Sequence, residues 1–495
     1  MEILSQSSRI GLQMEPIEIV DRMGRWSSGR GRLSALLAQR LRSMIDDGEL
    51  GPGEPLPTDR ALAAALAVGR STVVAAYEML RADGRIVRRQ GSGTRVAGER
   101  PPERPLPIPD AETTAPIFLQ QINPTAGAIP LACAAPTAPP PVLIAAQRAV
   151  LDRLDDVVNP EVDFGYFPAG HPLLREAVAD YYCRNGLPTE PYEIMITNGS
   201  QQAISLITRL LITPGERVVV EAPTYPGALE VFRAAGAELV PLQVGLPDFA
   251  KVATAQSAAL GYLVSVFHNP TGSLLAALPG ERLARAAELT QTWLIDDRSL
   301  SELVFPGVIV PRPLACHADR VITLGSLSKI VWGGLRCGWV RAPRRLIDRL
   351  VRVRAVLDIG GSALPQLAAV ELVDHLEELG VEVGSRLSAA HDHLCTELAE
   401  RLPDWSFTPA VGGQSLWVRI PHGDGDSFAQ EALRHGVAVL AGSGLDASGE
   451  GTQYLRLHFQ LSPAQLTDAV ARLADAWRAY RPPAEPLVDR PKLAV

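Results

Sequence analysis

Near the beginning of the chain, apolar side chains recur every four residues, at Leu33, Leu37, Leu41 and Ile45. This spacing predicts an amphipathic helix that buries one apolar stripe. The segment that follows, 47–53, contains three glycines and a proline. Because such residues stop a helix, we predict that the first helix ends there.

Two shorter helices follow in the pattern. Thr58 is a good N-cap for the second helix, which is predicted to end at Leu66, and a third helix is predicted over about 71–82. A glycine-containing turn joins them, as in a helix-turn-helix unit, whose second helix enters the major groove of DNA. Residues 85–96 hold four arginines, no acid and a Gly-Ser-Gly tip. They predict a two-stranded wing, so the N-terminal fold is a winged helix-turn-helix.

Five short apolar runs in the remainder predict buried strands, at 193–197, 218–220, 263–266, 293–295 and 321–324. Helical segments such as 281–290 separate them, which favours a largely parallel sheet in an α/β domain. Each run ends in a polar or glycine-rich cluster, and open α/β sheets bind their ligands at the carboxyl ends of the strands. Beyond about residue 345 the pattern predicts a smaller α+β subdomain that closes with a strand over 452–459.

At 495 residues the chain is too long for a single core, and three segments are predicted. Residues 22–97 form a DNA-binding domain, residues 98–127 a linker, and residues 128–485 the larger domain. Prolines without periodicity predict that the linker is extended and semi-rigid.

Charge is unevenly divided between these segments. Residues 22–97 hold thirteen arginines and seven acids, a net of +6, so the remainder carries −14 to reach the total of −8. A basic N-terminal segment in an otherwise acidic chain predicts that only this segment binds a polyanion. The five scattered cysteines form no CxxC pair, and there is neither a membrane-length run of ~20 apolar residues nor a signal-peptide pattern. We therefore expect a cytoplasmic protein without a metal site or a membrane association.

Lysine is rare in this chain. Of 47 Lys and Arg residues only three are lysines, and Lys329 stands in the sequence Gly-Ser-Leu-Ser-Lys with Arg336 seven residues on. A guanidinium cannot form an imine with an aldehyde at neutral pH, so a lysine kept here predicts a need for a primary amine. The two serine hydroxyls and Arg336 suit a phosphate ester. This combination predicts a site for pyridoxal phosphate (PLP).

The N-terminal segment resembles the GntR family of bacterial regulators in three ordered blocks, LPTDRALA (56–63), VGRSTV (68–73) and RQGSGT (89–94). The resemblance implies a double-stranded DNA operator as partner, contacted by Arg60, Arg70, Ser71 and Thr72. It places Gly91 and Gly93 in the wing, where Arg88 and Arg89 are expected to meet phosphates. The sequence does not separate the side chains that read bases from those that touch only phosphates.

The larger domain resembles the fold type I aminotransferases over nearly all of 130–485. In that family a lysine forms a Schiff base with PLP, and Lys329 matches it. The resemblance pairs Asp296 with the pyridine nitrogen, places Asn269 at the 3-hydroxyl and stacks Tyr225 on the ring. The residues that match the phosphate cup of the family are Ser200, Gln201, Ser326 and Arg336.

The same resemblance implies roles further from the ring. Arg456 matches the arginine that binds the α-carboxylate of an amino acid, and Tyr166 matches a tyrosine that reaches the neighbouring subunit's cofactor. One position departs from the pattern, because many relatives place a tyrosine two or three residues after the aspartate, where this chain has Arg298 and Ser299. The support that such a tyrosine gives the 3-hydroxyl is therefore missing or comes from another residue.

A GntR-type head joined by a proline-rich linker to an aminotransferase-like body is the architecture of MocR-type regulators. This resemblance implies a PLP-dependent transcriptional regulator that senses PLP or an amino compound, controls genes of vitamin B6 or amino-acid metabolism and forms a homodimer. A genuine aminotransferase with an accessory DNA-binding domain would use the same site residues, so it is the alternative. A GntR repressor whose body has lost the cofactor is disfavoured, since every anchoring position that can be matched is filled.

Overall fold

The computed structural model describes residues 16–23, 26, 33–89, 93–97, 127–136, 138–154 and 164–482. The chain divides into two compact units, residues 1–113 and 114–495, which we call the head and the body. The predicted linker over 98–127 lies outside the described residues except for its last position. Within the described residues, no helix is both long enough and apolar enough to cross a membrane.

The described part of the head consists, in chain order, of α1 (Pro16–Met23), α2 (Leu33–Asp46), β1 (Pro55–Leu56), α3 (Asp59–Ala65), α4 (Arg70–Ala82), β2 (Ile86–Arg89) and β3 (Gly93–Val96). The sheet is antiparallel in the order β1-β3-β2, and β2 with β3 forms the predicted wing. Thr58 caps α3, since its side chain accepts a hydrogen bond of 3.3 Å from the backbone nitrogen of Ala61. The predicted winged helix-turn-helix is confirmed.

The apolar stripe predicted for α2 is only partly correct. Leu37 and Leu41 are fully buried, but Leu33 is 46% exposed, and Met44 enters the core beside Ile45. An α-helix turns about 100° per residue, so a strict four-residue spacing drifts by about 40° at each step. The ends of a long stripe therefore leave the buried face, and Met44 fills the space.

The body contains a seven-stranded sheet made of β5 (Ile194–Thr197), β6 (Arg217–Ala222), β7 (Glu238–Gln243), β8 (Leu260–Leu263), β9 (Trp293–Asp297), β10 (Val321–Ser326) and β11 (Gly338–Arg341). Their order is β5-β11-β10-β9-β8-β6-β7, and only β11 runs antiparallel to its neighbours. The largely parallel sheet is thus confirmed. The strand predicted over 263–266 lies three residues earlier, in β8. Val264 leaves the ladder, because its backbone nitrogen donates to the buried carboxylate of Glu221 at 2.8 Å.

Helices cover both faces of this sheet. They are α6 (Pro172–Arg184), α7 (Ser200–Leu211), α8 (Pro226–Ala234), α9 (Phe249–Gln256), α10 (Ala277–Leu289) and α11 (Arg344–Leu357), and α5 (Pro141–Asp152) precedes them in the chain. Consecutive residues of β6 point to opposite faces: Val218 and Val220 pack with residues of α7, α8 and α11, whereas Val219 packs with residues of α9 and α10. A strand buried on both faces explains why these runs are continuously apolar.

A smaller subdomain follows, with helices α12 (Ala363–Asp374), α13 (Leu376–Arg401), α14 (Gly425–Arg434) and α15 (Pro463–Ala479) and strands β12 (Ser406–Phe407), β13 (Ser415–Arg419), β14 (Val437–Ala438), β15 (Leu440–Ala441) and β16 (Tyr454–His458). Its antiparallel sheet has the order β12-β13-β16-β15. A separate pair joins β14 in parallel to β4 (Ile129–Pro130), which comes from the start of the body. The predicted closing strand corresponds to β16.

Candidate functional site

Lys329 lies just beyond the carboxyl end of β10. Its Nζ donates a hydrogen bond of 2.8 Å to the backbone oxygen of Ala134. Burial, followed by the positive charge of Arg456, lowers the pKa of Lys329 from 10.5 to about 8. A larger fraction of this amine is therefore neutral near pH 7 than of a surface lysine, and a neutral amine is the form that attacks a carbonyl carbon.

The Lys329 amine faces a cavity of about 800 Å³, which we call the lysine cavity. Seven of the residues predicted for the cofactor and effector site line it, namely Ser200, Gln201, Tyr225, Asn269, Lys329, Arg336 and Arg456. They come from the ends of several strands and from the start of α7, as expected for an open α/β sheet. Three predicted residues, Asp296, Ser326 and Tyr166, do not line it.

Asp296, which the sequence predicts at the pyridine nitrogen, does not line the lysine cavity, whereas its neighbour Asp297 lines it. Consecutive side chains of a strand point to opposite faces, so only one of the two carboxylates can reach the cavity. Asp296 points away, where it accepts hydrogen bonds of 2.5 Å from the Ser265 hydroxyl and 3.3 Å from the Leu314 backbone nitrogen. Its fully buried carboxylate ties β9 to the segment around Leu314.

Asp297 is held on both carboxylate oxygens. Oδ2 accepts a hydrogen bond of 2.9 Å from the Tyr262 hydroxyl. Oδ1 accepts bonds of 2.6 Å from the Ser299 hydroxyl and 3.0 Å from the Ser299 nitrogen. Burial raises the pKa of Asp297, while these hydrogen bonds and the charge of Lys329 oppose the rise. The carboxylate is thus fixed in direction.

The predicted phosphate cup lies where β5 turns into α7. Gly199 precedes the helix with φ +83°, and a Cβ there would lie 3.2 Å from the Arg336 guanidinium. Arg336 in turn donates to the backbone oxygen of Asn198. A helix N-terminus beside a fixed arginine is a site for an anionic phosphate.

Of the two serines before the lysine, Ser328 lines the lysine cavity and Ser326 does not. The hydroxyl of Ser326 accepts a hydrogen bond of 3.2 Å from the Ser328 backbone nitrogen and so supports the turn. The hydroxyl of Ser328 is buried and has no partner in the part of the chain that the structure describes. The predicted phosphate contact of Ser326 therefore stays a prediction, and Ser328 is a further candidate.

Arg456, in β16, is 3% exposed. Its two terminal nitrogens donate to Oδ1 of Asn269 at 3.1 Å and to the backbone oxygen of Ala132 at 2.6 Å. Burial lowers the pKa of Arg456 to about 10, so the guanidinium stays charged at neutral pH. A buried cation beside Asn269 is suited to bind a carboxylate that enters the cavity.

Residues 133–136 also line the lysine cavity, and the sequence contained no motif that would reveal this. Two residues separate them from β4, and Cys133 and Ala134 lie near the two cations Lys329 and Arg456. Tyr166, by contrast, is 69% exposed and away from the cavity. Its expected contact with a neighbouring subunit stays a prediction.

In the head, the side chains predicted to meet DNA lie at the beginning of α3 and α4. Arg60, Arg70 and Ser71 are exposed and Thr72 is half-buried. Arg70 is only loosely tied, with a nitrogen 4.0 Å from the Asp59 carboxylate. Their predicted contacts with DNA stay predictions.

The wing differs from its prediction at Arg88. Its guanidinium donates to the Asp59 carboxylate and, at 3.1 Å, to the Thr94 hydroxyl, lies 3.6 Å from the Glu78 carboxylate and sits 5.6 Å from the Tyr77 ring centre. Arg88 therefore ties the wing to α3 and α4, and its charge is compensated within the head. Gly93 opens β3 with φ +82°, whereas Gly91 and the Arg89 side chain lie outside the described residues.

The residues of the lysine cavity fit PLP. The amine of Lys329 would meet its aldehyde, the Asp297 carboxylate would meet its pyridine nitrogen, and the Ser328 hydroxyl with Arg336 would meet its phosphate. Tyr225 and Asn269 lie on the same cavity, and their places at the ring stay predictions. The charges on the walls are thus complementary to the three polar ends of the cofactor.

Fold and site are those of the aminotransferase class I and II family joined to a GntR domain. Residues 138–473 match the model of the family "Aminotransferase class I and II", and residues 33–96 match that of "Bacterial regulatory proteins, gntR family". The former family is PLP-dependent. The chain belongs to the aminotransferase class I and II family and, within it, to the MocR-type regulators that carry a GntR head.

Two relatives match most of the length of this chain. The chain is 30% identical over 455 residues to the uncharacterized HTH-type transcriptional regulator YisV of Bacillus subtilis (strain 168), covering 86% of this chain and 91% of the relative. It is 28% identical to the probable rhizopine catabolism regulatory protein MocR of Rhizobium meliloti, covering 79% and 85%. Among solved structures, the α-aminoadipate aminotransferase LysN of Thermus thermophilus matches with a TM-score of 0.66 and 26% identity, covering 74% and 95%.

Proposed function

We propose that this protein is a PLP-dependent, DNA-binding transcriptional regulator of the cytoplasm, in which the body senses PLP or an amino compound and the head binds an operator. The observation that carries the proposal is one chain with both a GntR head and a cavity in which Lys329, Asp297 and Arg456 meet. A regulator needs only a ligand that binds two conformations of the protein differently, and turnover is not required.

Three polar side chains of the lysine cavity have a role in binding PLP in this proposal. Lys329 offers a half-buried amine that is partly neutral at pH 7, and Asp297 holds a negative charge that Tyr262 and Ser299 orient. Arg336, which donates to the Asn198 backbone oxygen before α7, would neutralise the phosphate of PLP. When bound, PLP would supply an aldehyde and an electron-withdrawing ring.

Arg456 and Asn269 would bind the carboxylate of an amino-acid effector. The guanidinium is buried and already oriented by Asn269 at 3.1 Å, so little side-chain entropy is lost when a carboxylate arrives. Effectors of this kind are consistent with control of amino-acid metabolism. If PLP alone is the signal, the regulated genes belong to vitamin B6 metabolism.

For DNA we propose that α4 enters the major groove with Arg70, Ser71 and Thr72 at its leading end, and that Arg60 supports it from α3. Helix-turn-helix proteins place the N-terminal residues of the second helix against base edges. A homodimer would present two such heads to an operator with two half-sites. Tyr166, exposed on the body, is available for the contact with the neighbouring subunit's cofactor that its sequence predicts.

The second candidate function is transamination. It is favoured by the same lysine cavity, which keeps an amine, a carboxylate and an arginine, and by the fold shared with LysN. Partial transamination without sustained turnover would also be compatible with a sensor. Sustained formation of a 2-oxo acid from an amino donor over many turnovers would establish the enzyme.

The test combines two titrations on the full chain. PLP should bind and give a visible absorbance band, and borohydride reduction followed by peptide mass spectrometry should locate the cofactor on Lys329. DNA from upstream of the protein's own gene should bind with an affinity that changes when PLP or an amino acid is added. A protein that takes up no PLP, or whose DNA affinity is the same with and without every ligand, would contradict the proposal.

The effector arm of this test uses Arg456→Ala, with Arg419→Ala in the neighbouring strand β13 as the control. In the wild type and in Arg419→Ala, amino acids should perturb the spectrum of bound PLP. In Arg456→Ala that perturbation should be lost while PLP still binds, because the arginine is expected on the carboxylate side of the cavity. An equal response in both variants would remove Arg456 from the effector site.

A further inference from the structure

A short segment at the start of the body closes one side of the lysine cavity. We call residues 130–136 the strap; it runs from the end of β4 towards α5, and residues 133–136 line the cavity. At its beginning it is held by β16, because the backbone nitrogen of His458 donates to the Leu131 oxygen at 3.3 Å. The His458 ring also contacts the oxygen of Pro130.

Further along, the strap is held by two side chains of the cavity itself. The Ala132 oxygen accepts from Arg456 at 2.6 Å, and the Ala134 oxygen accepts from Lys329 at 2.8 Å. Both donors are cationic side chains that line the cavity, and hydrogen bonds from charged donors are about twice as strong as neutral ones. Lys329 and Arg456, which anchor the strap, are therefore the same two side chains that are proposed to bind PLP and a carboxylate.

The two anchors compete with those ligands. Condensation of the Lys329 amine with an aldehyde exchanges two N–H bonds for one C=N bond, and the aldehyde oxygen leaves as water. The nitrogen then has at most one N–H left, and its position is set by the new covalent bond rather than by Ala134. A carboxylate that binds Arg456 competes in the same way for the nitrogen that now donates to Ala132.

We propose that the strap reports the occupancy of the lysine cavity: attachment of PLP to Lys329 releases Ala134, and a carboxylate at Arg456 releases Ala132. The inference rests on the proposed function, since it assumes PLP at Lys329 and a carboxylate at Arg456. The strap begins three residues after the end of the predicted linker, at the second residue of β4. A change in the hydrogen bonds of the strap would therefore occur close in sequence to the linker that leads to the DNA-binding head.

Hydrogen-exchange mass spectrometry of the full chain tests this directly. The backbone nitrogen of Ala135 donates to the Cys133 oxygen at 3.0 Å, and that of Ile129 donates to the Gly436 oxygen at 2.8 Å, so peptides over 129–136 carry protected amides. PLP should raise their exchange several-fold. The analogue 4-deoxypyridoxine 5′-phosphate, which has no aldehyde, should occupy the cavity and leave their exchange unchanged.

Variants test whether the hydrogen bonds from Lys329 and Arg456, rather than the loss of a positive charge anywhere in the body, protect the strap from exchange. Lys329→Met should show raised exchange over 129–136 without ligand, and PLP should add nothing. Lys251→Met, a change at an exposed lysine of α9, should behave as the wild type. Arg456→Gln should also raise the exchange of the strap, and Arg419→Gln in β13 should not.

Two failures can be told apart. If PLP gives no absorbance band at all, the proposed function fails and the strap is not at issue. If the band forms but PLP and the deoxy analogue change the exchange of the strap equally, or if the strap of Lys329→Met is as protected as that of the wild type, the strap proposal is wrong and the proposed function stands.

Discussion

The hydroxyl of Tyr262 lies 2.9 Å from Oδ2 of Asp297, on the neighbouring strand of the sheet. Tyr262 is fully buried, and the charge of Asp297 adds to the effect of burial in raising the pKa of the phenol. The phenol therefore remains protonated and acts as a fixed donor. One carboxylate of the chain is thus pointed into the lysine cavity by a rigid neighbour.

The first prediction compares the two adjacent aspartates. Asp297→Asn should weaken PLP binding about 10- to 100-fold, since a hydrogen bond to a charged group contributes about 1.5–3 kcal/mol. Asp296→Asn should leave the PLP affinity nearly unchanged and lower the free energy of unfolding by about 1 kcal/mol, because its carboxylate binds Ser265 and Leu314. Absorbance titrations and chemical denaturation measure the two effects, and the reverse pattern would return the cofactor role to Asp296.

The second prediction concerns pH. Because the pKa of Lys329 is lowered to about 8, the amine is protonated and unreactive below that pH and neutral above it. The rate at which PLP attaches should therefore rise about tenfold per pH unit up to about pH 8 and then level off. Stopped-flow absorbance would measure this rate. Binding of 4-deoxypyridoxine 5′-phosphate, which does not need the amine, is the control, and a midpoint near the ordinary value of 10.5 would contradict the expectation.

The third prediction tests the phosphate cup with two glycines. Gly199 and Gly215 have similar φ values of +83° and +88°, but a Cβ at Gly199 would lie 3.2 Å from Arg336, whereas nothing lies within 4 Å of one at Gly215. Alanine at either position should cost about 1 kcal/mol of stability because of the left-handed backbone. Only Gly199→Ala should also weaken PLP binding, by displacing Arg336. Equal PLP affinities of the two variants would show that Arg336 does not define the cup.

The fourth prediction separates two arginines of the head. Arg70→Ala should weaken DNA binding and reduce the slope of log affinity against log salt by about one per head, as expected for the loss of one phosphate or base contact. Arg88→Ala should leave that slope unchanged and lower the stability of the head by about 1 kcal/mol, since Arg88 is paired with Asp59 and Glu78. Fluorescence anisotropy at several salt concentrations and thermal unfolding distinguish them. A reduced slope for Arg88→Ala would mean that it leaves its internal partners to bind phosphate.

Much of the fold was predictable because the chain marks its elements locally. Thr58 and the glycines around the head helices delimit them, and the apolar runs locate most strands of the large sheet. The strand β8 was misplaced, because the apolar run continues beyond Leu263 while Val264 already donates to Glu221. That contact joins residues 43 apart, and no local pattern contains it.

The sequence motifs place Lys329 and Arg456 at one site, and both residues line the same cavity, while their roles there stay predictions. For the pair Asp296 and Asp297, the motif locates the strand end, but the face to which each residue points depends on the phase of the strand. In β9, Leu294 packs in the same core cluster as Val219, and Ile295 packs in that of Val220. These tertiary contacts determine the face of the sheet to which each aspartate points, and the local sequence does not reveal them. The pairing of Arg88 likewise depends on distant acids.

The pairing of β4 with β14 makes the small subdomain discontinuous in the chain. Residues 129–130 contribute to it although more than 300 residues separate them from their partners at 437–438. A shortened body that begins at Pro141 would therefore expose one edge of β14 and leave Lys329 and Arg456 without their backbone acceptors. Excising the aminotransferase part as an independent fragment thus requires a cut before Ile129, even though the family match begins only at residue 138.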